Sequence, residues 1–294
     1  MCKSVSDYIL LQTRFRSPYS PENVRLFLPF RHLPWVFRRF LSPRRPLLWS
    51  PPAIIQAIRL QTAKANISTY GYQQTQLFLL QDHGVWINHK KVLRLMQEMG
   101  LRSRIRRKHR CNYSSSIGGR VAENMLQRDF TADALHQKWV TDVTQYRVAD
   151  TWLYVSAIKD LYNNEIVAYH MSLRNDNQLV LQTFTKAFET AKDVTGLIVH
   201  SDQGFQYTSY PYHDMLRKVG AQISMSRRGN CYENASMESF FSHLKTEGLY
   251  LYDIRSLDEA QRRIEEYIHF YNQSRPQRKL KKLTPVEYRR QLAA

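Results

Sequence analysis

Cysteine is scarce in this 294-residue chain: Cys2, Cys111 and Cys231 are the only three, and no two form a C-x-x-C pair. A disulfide framework and a cysteine-built zinc site are therefore not indicated, and a reducing cytoplasm fits. Long hydrophobic runs are missing as well. The most apolar N-terminal stretch, LFLPFRHLPWVF, is broken by Arg31, His32 and two prolines, so no membrane span is expected. No uninterrupted apolar segment follows the first basic residue, and a secretory signal is not expected either. Acidic residues are in deficit, with 25 Asp+Glu against 43 Lys+Arg. What is present in quantity is apolar and aromatic material, 43% and 12%, enough to bury real cores and to place the chain among globular proteins.

The distribution of charge says more than the net +18. Residues 1–110 hold 20 basic and 4 acidic side chains, whereas residues 136–250 hold 11 and 12. The tail 251–294 returns to 10 against 6. A basic front joined to a balanced centre reads as a polyanion-binding region attached to a different machine, with a merely basic surface as the plainer alternative.

The chain divides into five parts by pattern. Residues 1–50 form an irregular basic segment in which Pro43, Pro46, Pro51 and Pro52 break any helix. Residues 51–110 read as three helices. IIQAIRLQTAKAN is the first, YGYQQTQLFLLQDHG with Leu77 and Leu80 inward the second, and NHKKVLRLMQEMGL the third. The third has Asn88 as its N-cap, Val92, Leu95, Met96 and Met99 on the buried face, and Gly100 at its C-terminal end. The last two helices match a helix-turn-helix whose second helix carries Lys90, Lys91 and Arg94, although a three-helix bundle with a solvated basic face would look similar. The run RSRIRRKHR, with Arg104, Arg106 and Arg107, reads as a phosphate-binding arm. Residues 111–135 read as a linker.

From 136 to 250 the pattern predicts three antiparallel strands (KWVTDVTQYRV, TWLYVSAIKDL, EIVAYHMSL) with turns at Asp150-Thr151 and Asn163-Asn164. A helix, a strand, a helix, a strand and a helix follow. The expected fold is an α/β layer with a mixed five-stranded sheet and flanking helices. Residues 251–294 read as a helical extension, opened by the capping box Ser256-x-x-Glu259 and ending in a short helix near Pro285.

Phosphodiester chemistry on DNA commonly uses two divalent metals about 4 Å apart, held by a few carboxylates. Candidates are acidic residues at strand ends and helix starts along one sheet edge. Asp142 lies inside the first strand, where aspartate is disfavoured. Asp202 ends the fourth strand, and Glu238 is on the helix after the fifth. The bland readings are an exposed turn aspartate and a solvent-facing glutamate. Thirty-five residues separate Asp202 from Glu238, but Asp129 and Glu165 have the same spacing, so spacing alone does not choose. On the Glu238 helix, positions 238, 242 and 245 share one stripe, while Met237, Phe241 and Leu244 share the one expected to anchor it.

The segments WVTDVTQY, IVHSDQGFQYTS, GNCYENASMESFFSHLKTE and YNQSRPQRKLKKLTPVEY resemble the integrase core of insertion-sequence transposases of the IS-three family, OrfB type, relatives of retroviral integrases. The resemblance covers roughly residues 52–292. It implies an RNase H-like fold and a D-D-E triad carried by Asp142, Asp202 and Glu238. It also implies two Mg²⁺ (or Mn²⁺) ions, and cleavage and joining of element ends to target DNA without a covalent protein–DNA intermediate. A basic residue seven positions after the glutamate, Lys245, is implied to meet a DNA phosphate. Implied partners are DNA, further copies of the chain in a multimer, and an upstream reading-frame product as fusion or partner. The implied location is the bacterial cytoplasm, at the nucleoid when DNA-bound. This chain departs from the family pattern at YGYQQ, where YGYRR is usual, and at Glu233, where aspartate is usual. A non-catalytic regulator and an RNase H-like nuclease remain as alternatives, and only the regulator leaves the three carboxylates dispensable.

Overall fold

The computed structural model describes residues 51–63, 70–103, 120–191, 193–227 and 234–292. Residues 1–50 and the arm arginines Arg104, Arg106 and Arg107 lie outside the described residues. Three helices come first: α1 Pro51–Ala63, α2 Tyr72–His83 and α3 His89–Glu98. Pro51 and Pro52 stand inside the first turn of α1 rather than breaking it. The first-turn N–H groups have no partner within a helix, so prolines cost little there. Asn88 caps α3 by accepting from the Lys90 backbone N–H at 2.9 Å. Gly100 follows α3 with φ +69°, a left-handed conformation that glycine adopts without steric cost.

Helix α2 departs from a simple two-faced pattern. Thr75 through Leu79 are all buried, while Leu80 is only half-buried. The helix is covered from two sides. Leu79 joins Ile54, Ile58, Val92 and Leu95 in the three-helix core, while Phe78 stacks on Tyr70 and on Phe270 at 5.4 and 6.3 Å.

The five strands are β1 Lys138–Val148, β2 Thr151–Asp160, β3 Ile166–Ser172, β4 Ile198–Ser201 and β5 Gln222–Met225. They form one mixed sheet in the order β3-β2-β1-β4-β5. β1, β2 and β3 pair antiparallel, whereas β4 pairs parallel with both β1 and β5. The first hairpin turns one residue earlier than the sequence implies. Thr151 pairs with Val148, which leaves Ala149 and Asp150 as the turn, with Ala149 at φ +49°. β-branched Thr151 is better used in the ladder than in the bend.

The remaining helices are α4 Asn177–Thr190, α5 Tyr210–Lys218, α6 Ala235–His243, α7 Leu257–Gln273 and α8 Pro285–Leu292. A π-helix, Leu244–Leu249, continues directly from α6. One sheet face packs Trp139, Ile158 and Val199 against Val180 and Phe184 of α4 and Tyr212 and Leu216 of α5. The other packs Val140, Leu153 and Val155 against Met237, Phe240 and Phe241 of α6 and Ile264, Tyr267 and Tyr271 of α7. A five-stranded mixed sheet of this order, with helices on both faces, is the RNase H-like arrangement. Residues 120–129 run beside β5, where Glu123 accepts from the Met225 backbone and Ser224 Oγ accepts from the Met125 backbone. The outer edge of the sheet is thereby covered.

Candidate active site

Parallel register explains how Asp142 and Asp202 come together from sixty positions apart. Val140 of β1 is paired with His200 of β4. Two residues further on come Asp142 in β1 and Asp202 just past the end of β4, on the same side, because side chains two apart share a face. Val140 belongs to the core under α6, so both carboxylates rise on the side of the sheet that α6 covers. That helix is tied down at its start, where Asn234 Nδ2 donates to the Thr141 carbonyl at 3.4 Å and Lys159 Nζ donates to the Ser236 carbonyl at 3.4 Å. Met237, Phe240 and Phe241 fix the buried face of α6, which leaves Glu238 exposed in its first turn. The anchoring stripe is wider than the sequence reading had it, since Phe240 is buried together with Phe241.

The other two carboxylates therefore act on Asp142. Burial pushes the Asp142 carboxyl well above the usual range, and the Asp202 and Glu238 charges push it further. A hydrogen bond from the Val143 backbone and the ammonium of Lys245 pull the other way without prevailing. Asp202 is an exposed residue, as its plainer reading had it, yet the protein beside its carboxyl raises it against a hydrogen bond from the Gly204 N–H at 2.9 Å. Glu238 is raised by partial burial. Lys245 is half-buried, and burial lowers its pKa while the Asp142 charge opposes that. Among the described residues, Lys245 is the cation that offsets the Asp142 charge, and it does so only in part. The three carboxylates are hard oxygen donors of the kind that suits Mg²⁺ or Mn²⁺. Among the described residues, no three or more His, Cys, Asp or Glu side chains are drawn together closely enough to hold one ion.

Two neighbours were not singled out from sequence, although both stand in the quoted segment IVHSDQGFQYTS. Gly204 approaches Asp202 so closely that a Cβ there would lie 2.9 Å from Asp202 Oδ1. Tyr207 is buried, with its hydroxyl 3.3 Å from Thr141 Oγ1. Burial and then the Asp142 and Asp202 charges raise its pKa, so it is a neutral phenol below the carboxylates.

On the far side of the same helix lies a second charged cluster. Glu247, in the π-helix, is almost fully buried. It accepts from Tyr70 Oη at 3.0 Å, Tyr267 Oη at 2.7 Å, and Nε and Nη2 of Arg275 at 2.9 Å each. His243 Nδ1 lies 2.8 Å from its other oxygen. Burial alone would raise Glu247, but Arg275 and His243 more than offset it and hold the carboxyl well below the usual range.

Of the helix-turn-helix candidates, Lys90 is exposed and Lys91 half-buried, while Arg94 is exposed and pairs with Glu98 at 3.5 Å. No helix among the described residues is long and apolar enough to cross a membrane.

Comparison with known proteins matches this architecture part by part. The family described as "Integrase core domain" matches residues 132–231, a second model of that description matches 238–292, and an "HTH-like domain" matches 53–109. An uncharacterized transposase-like protein of Haemophilus influenzae is 45% identical over 208 residues, 70% of this chain and 94% of that protein. The putative transposase InsK for insertion sequence element IS150 of Escherichia coli is 42% identical over 226 residues, 77% of this chain and 79% of that one. A solved HTLV-2 integrase catalytic core domain in complex with magnesium is similar with a TM-score of 0.42 at 15% identity, covering 52% of this chain and 96% of that one. With its helix-turn-helix-like region, its integrase core and relatives of this identity and coverage, the chain belongs to the IS-three family of insertion-sequence transposases.

Proposed function

We propose that this transposase cleaves and joins DNA at the Asp142, Asp202 and Glu238 carboxylates, which would hold two Mg²⁺ or Mn²⁺ ions. The observation that supports the reading is electrostatic: the Asp202 and Glu238 charges act on Asp142 at one end of the sheet, and Lys245 offsets them only in part. Bound there, divalent ions would lower the pKa of an attacking oxygen and stabilise the departing one. The chain's own residues supply position. β1 and β4 hold Asp142 and Asp202 at one level, the Gly204 N–H aims the Asp202 carboxyl, and the Asn234–Thr141 bond fixes the start of the helix that carries Glu238. Lys245 offsets part of the Asp142 charge and leaves a cation beside the site for a DNA phosphate. The transferred group is a phosphodiester. A hydroxyl oxygen of water or of a DNA 3′ end bonds to phosphorus and gives up its proton to solvent, as the bridging oxygen leaves with the electron pair and takes up a proton.

Duplex DNA is the substrate in this reading, with Lys90, Lys91 and Arg94 among its contacts. Two element ends must be held at once, so the working form is a multimer of this chain, with an upstream reading-frame product as fusion or partner. The test is strand transfer of a labelled element-end duplex into plasmid DNA with Mg²⁺ or Mn²⁺, comparing wild type with Asp202→Asn. The amide keeps the shape and removes the charge. Joining should fall by at least about a thousandfold while duplex binding persists. Equal joining by both proteins would refute the triad.

A further inference from the structure

The segment after α7 carries four cations that the reading above does not use. Arg278, Lys279, Lys281 and Lys282 are all exposed, and no acidic residue lies between Gln273 and Thr284. Their loop is firmly built. The Gln277 N–H donates to the Leu283 carbonyl at 2.9 Å, the Lys282 N–H donates to the Gln277 carbonyl at 3.0 Å, and Leu280 and Leu283 are buried as anchors.

Lys281 and Lys282 both have left-handed backbones, with φ of 52° and 70°. Glycine is the default residue for that conformation, and side chains bearing a Cβ adopt it at a cost. Two consecutive lysines here are therefore a poor choice for the turn itself, and an outlier of this kind motivates a functional reading. The loop's placement supplies one. Lys282 Nζ sits 3.7 Å over the ring of Trp86, which is exposed and lies two residues before Asn88, the cap of α3. Arg278 Nη2 donates to Gln76 Oε1 of α2 at 2.6 Å. The loop is thus fastened to α2 and to the turn that leads into α3, near the α3 end that presents Lys90. In such motifs that end of the second helix enters the major groove, and flanking cations meet the backbone.

We infer that the 278–282 loop binds backbone phosphates of duplex DNA and extends the basic surface of α3. This rests on the reading of the chain as a DNA-acting transposase.

The full chain carrying Lys281→Gly and Lys282→Gly together separates turn from charge, because glycine suits the left-handed backbone. Binding to a mixed-sequence duplex is followed by fluorescence anisotropy across a salt series, beside thermal melting. Each phosphate contact contributes about 0.9 to the slope of log affinity against log salt, so the slope should fall by nearly two. Affinity should drop roughly tenfold at about 0.15 M salt, with Tm within a few degrees of wild type. A paired Lys281→Asn and Lys282→Asn variant should behave alike, since asparagine tolerates this backbone. Removing two exposed charges elsewhere, with Arg217→Gln and Lys218→Gln on α5, should leave most of the slope intact.

An unchanged slope in the glycine variant, or an equal fall in the α5 variant, would overturn the inference. The two claims fail separately. If Asp202→Asn joins ends as well as wild type, the triad falls while a lost salt slope still supports the loop. If only wild type joins but the slope is unmoved, the loop falls and the triad stands.

Discussion

Two charged clusters flank one continuous helical segment, and they are built on opposite electrostatic plans. Asp142, Asp202 and Glu238 sit at the sheet end, and each carboxyl is raised. Glu247 is more deeply buried than any of them, yet it is held well below the usual range because donors from four other side chains converge on it. Burial by itself therefore does not decide whether a carboxylate is stressed; partner supply does. The Glu247 cluster joins Tyr70 ahead of α2, Tyr267 of α7 and Arg275 beyond it, so its role is to hold three parts of the chain together. At the other cluster Lys245 offsets the Asp142 charge only in part, which costs stability and suits added cations.

The comparison breaks most forcefully at the hub. Glu247→Gln leaves Arg275 buried without a counter-charge and should lower stability by about 3–5 kcal/mol, read as a reduced denaturant midpoint. A loss below about 1 kcal/mol would mean that the pair is not the fastening it looks like. Next comes Gly204→Ala, whose added methyl would displace the Asp202 carboxyl. Joining should slow roughly tenfold with duplex binding unchanged, since a small misplacement of a reacting group is enough. An unaltered rate would show that Asp202 has slack.

The smallest effect, and the most instructive, has the opposite sign. Asp142→Asn should raise the Tm of the metal-free protein by a few degrees at neutral pH, because it removes a charge that the fold disfavours. A carboxyl raised in the folded state keeps its proton there longer than in the unfolded chain. Wild-type stability therefore falls as pH climbs from the ordinary aspartate range through the raised folded value. The asparagine protein should lack that part of the decline, and the two melting curves should converge in acid. A variant less stable than wild type at every pH would assign Asp142 a structural role.

Much of this was legible along the chain. The alternation in KWVTDVTQYRV and TWLYVSAIKDL marks strands because a half-buried ladder needs period two, and these segments form β1 and β2. Asn88 and Ser256 announce their helices because their side chains satisfy backbone donors locally. Asp142 stood out because a strand interior disfavours aspartate. The hub was not legible. Tyr70, Glu247, Tyr267 and Arg275 are separated by up to 205 positions, and nothing local marks a glutamate as buried. The continuous burial of Thr75–Leu79 was hidden for a similar reason, since the second surface covering α2 comes from Phe270.

By itself the sequence determined what depends on neighbours along the chain: periodicity, caps, the balance of charge between front and centre, and the motifs that place the chain in its family. Only the tertiary structure decided what depends on neighbours in space. The parallel register of β1 and β4 sets Asp142 beside Asp202, convergent donors separate Glu247 from Glu238, and the ring of Trp86 beneath Lys282 brings a C-terminal loop to the turn between the two helices of the N-terminal pair. The physical reason is range. Steric and capping preferences act within a few residues, whereas burial and Coulomb interactions depend only on distance in the folded chain.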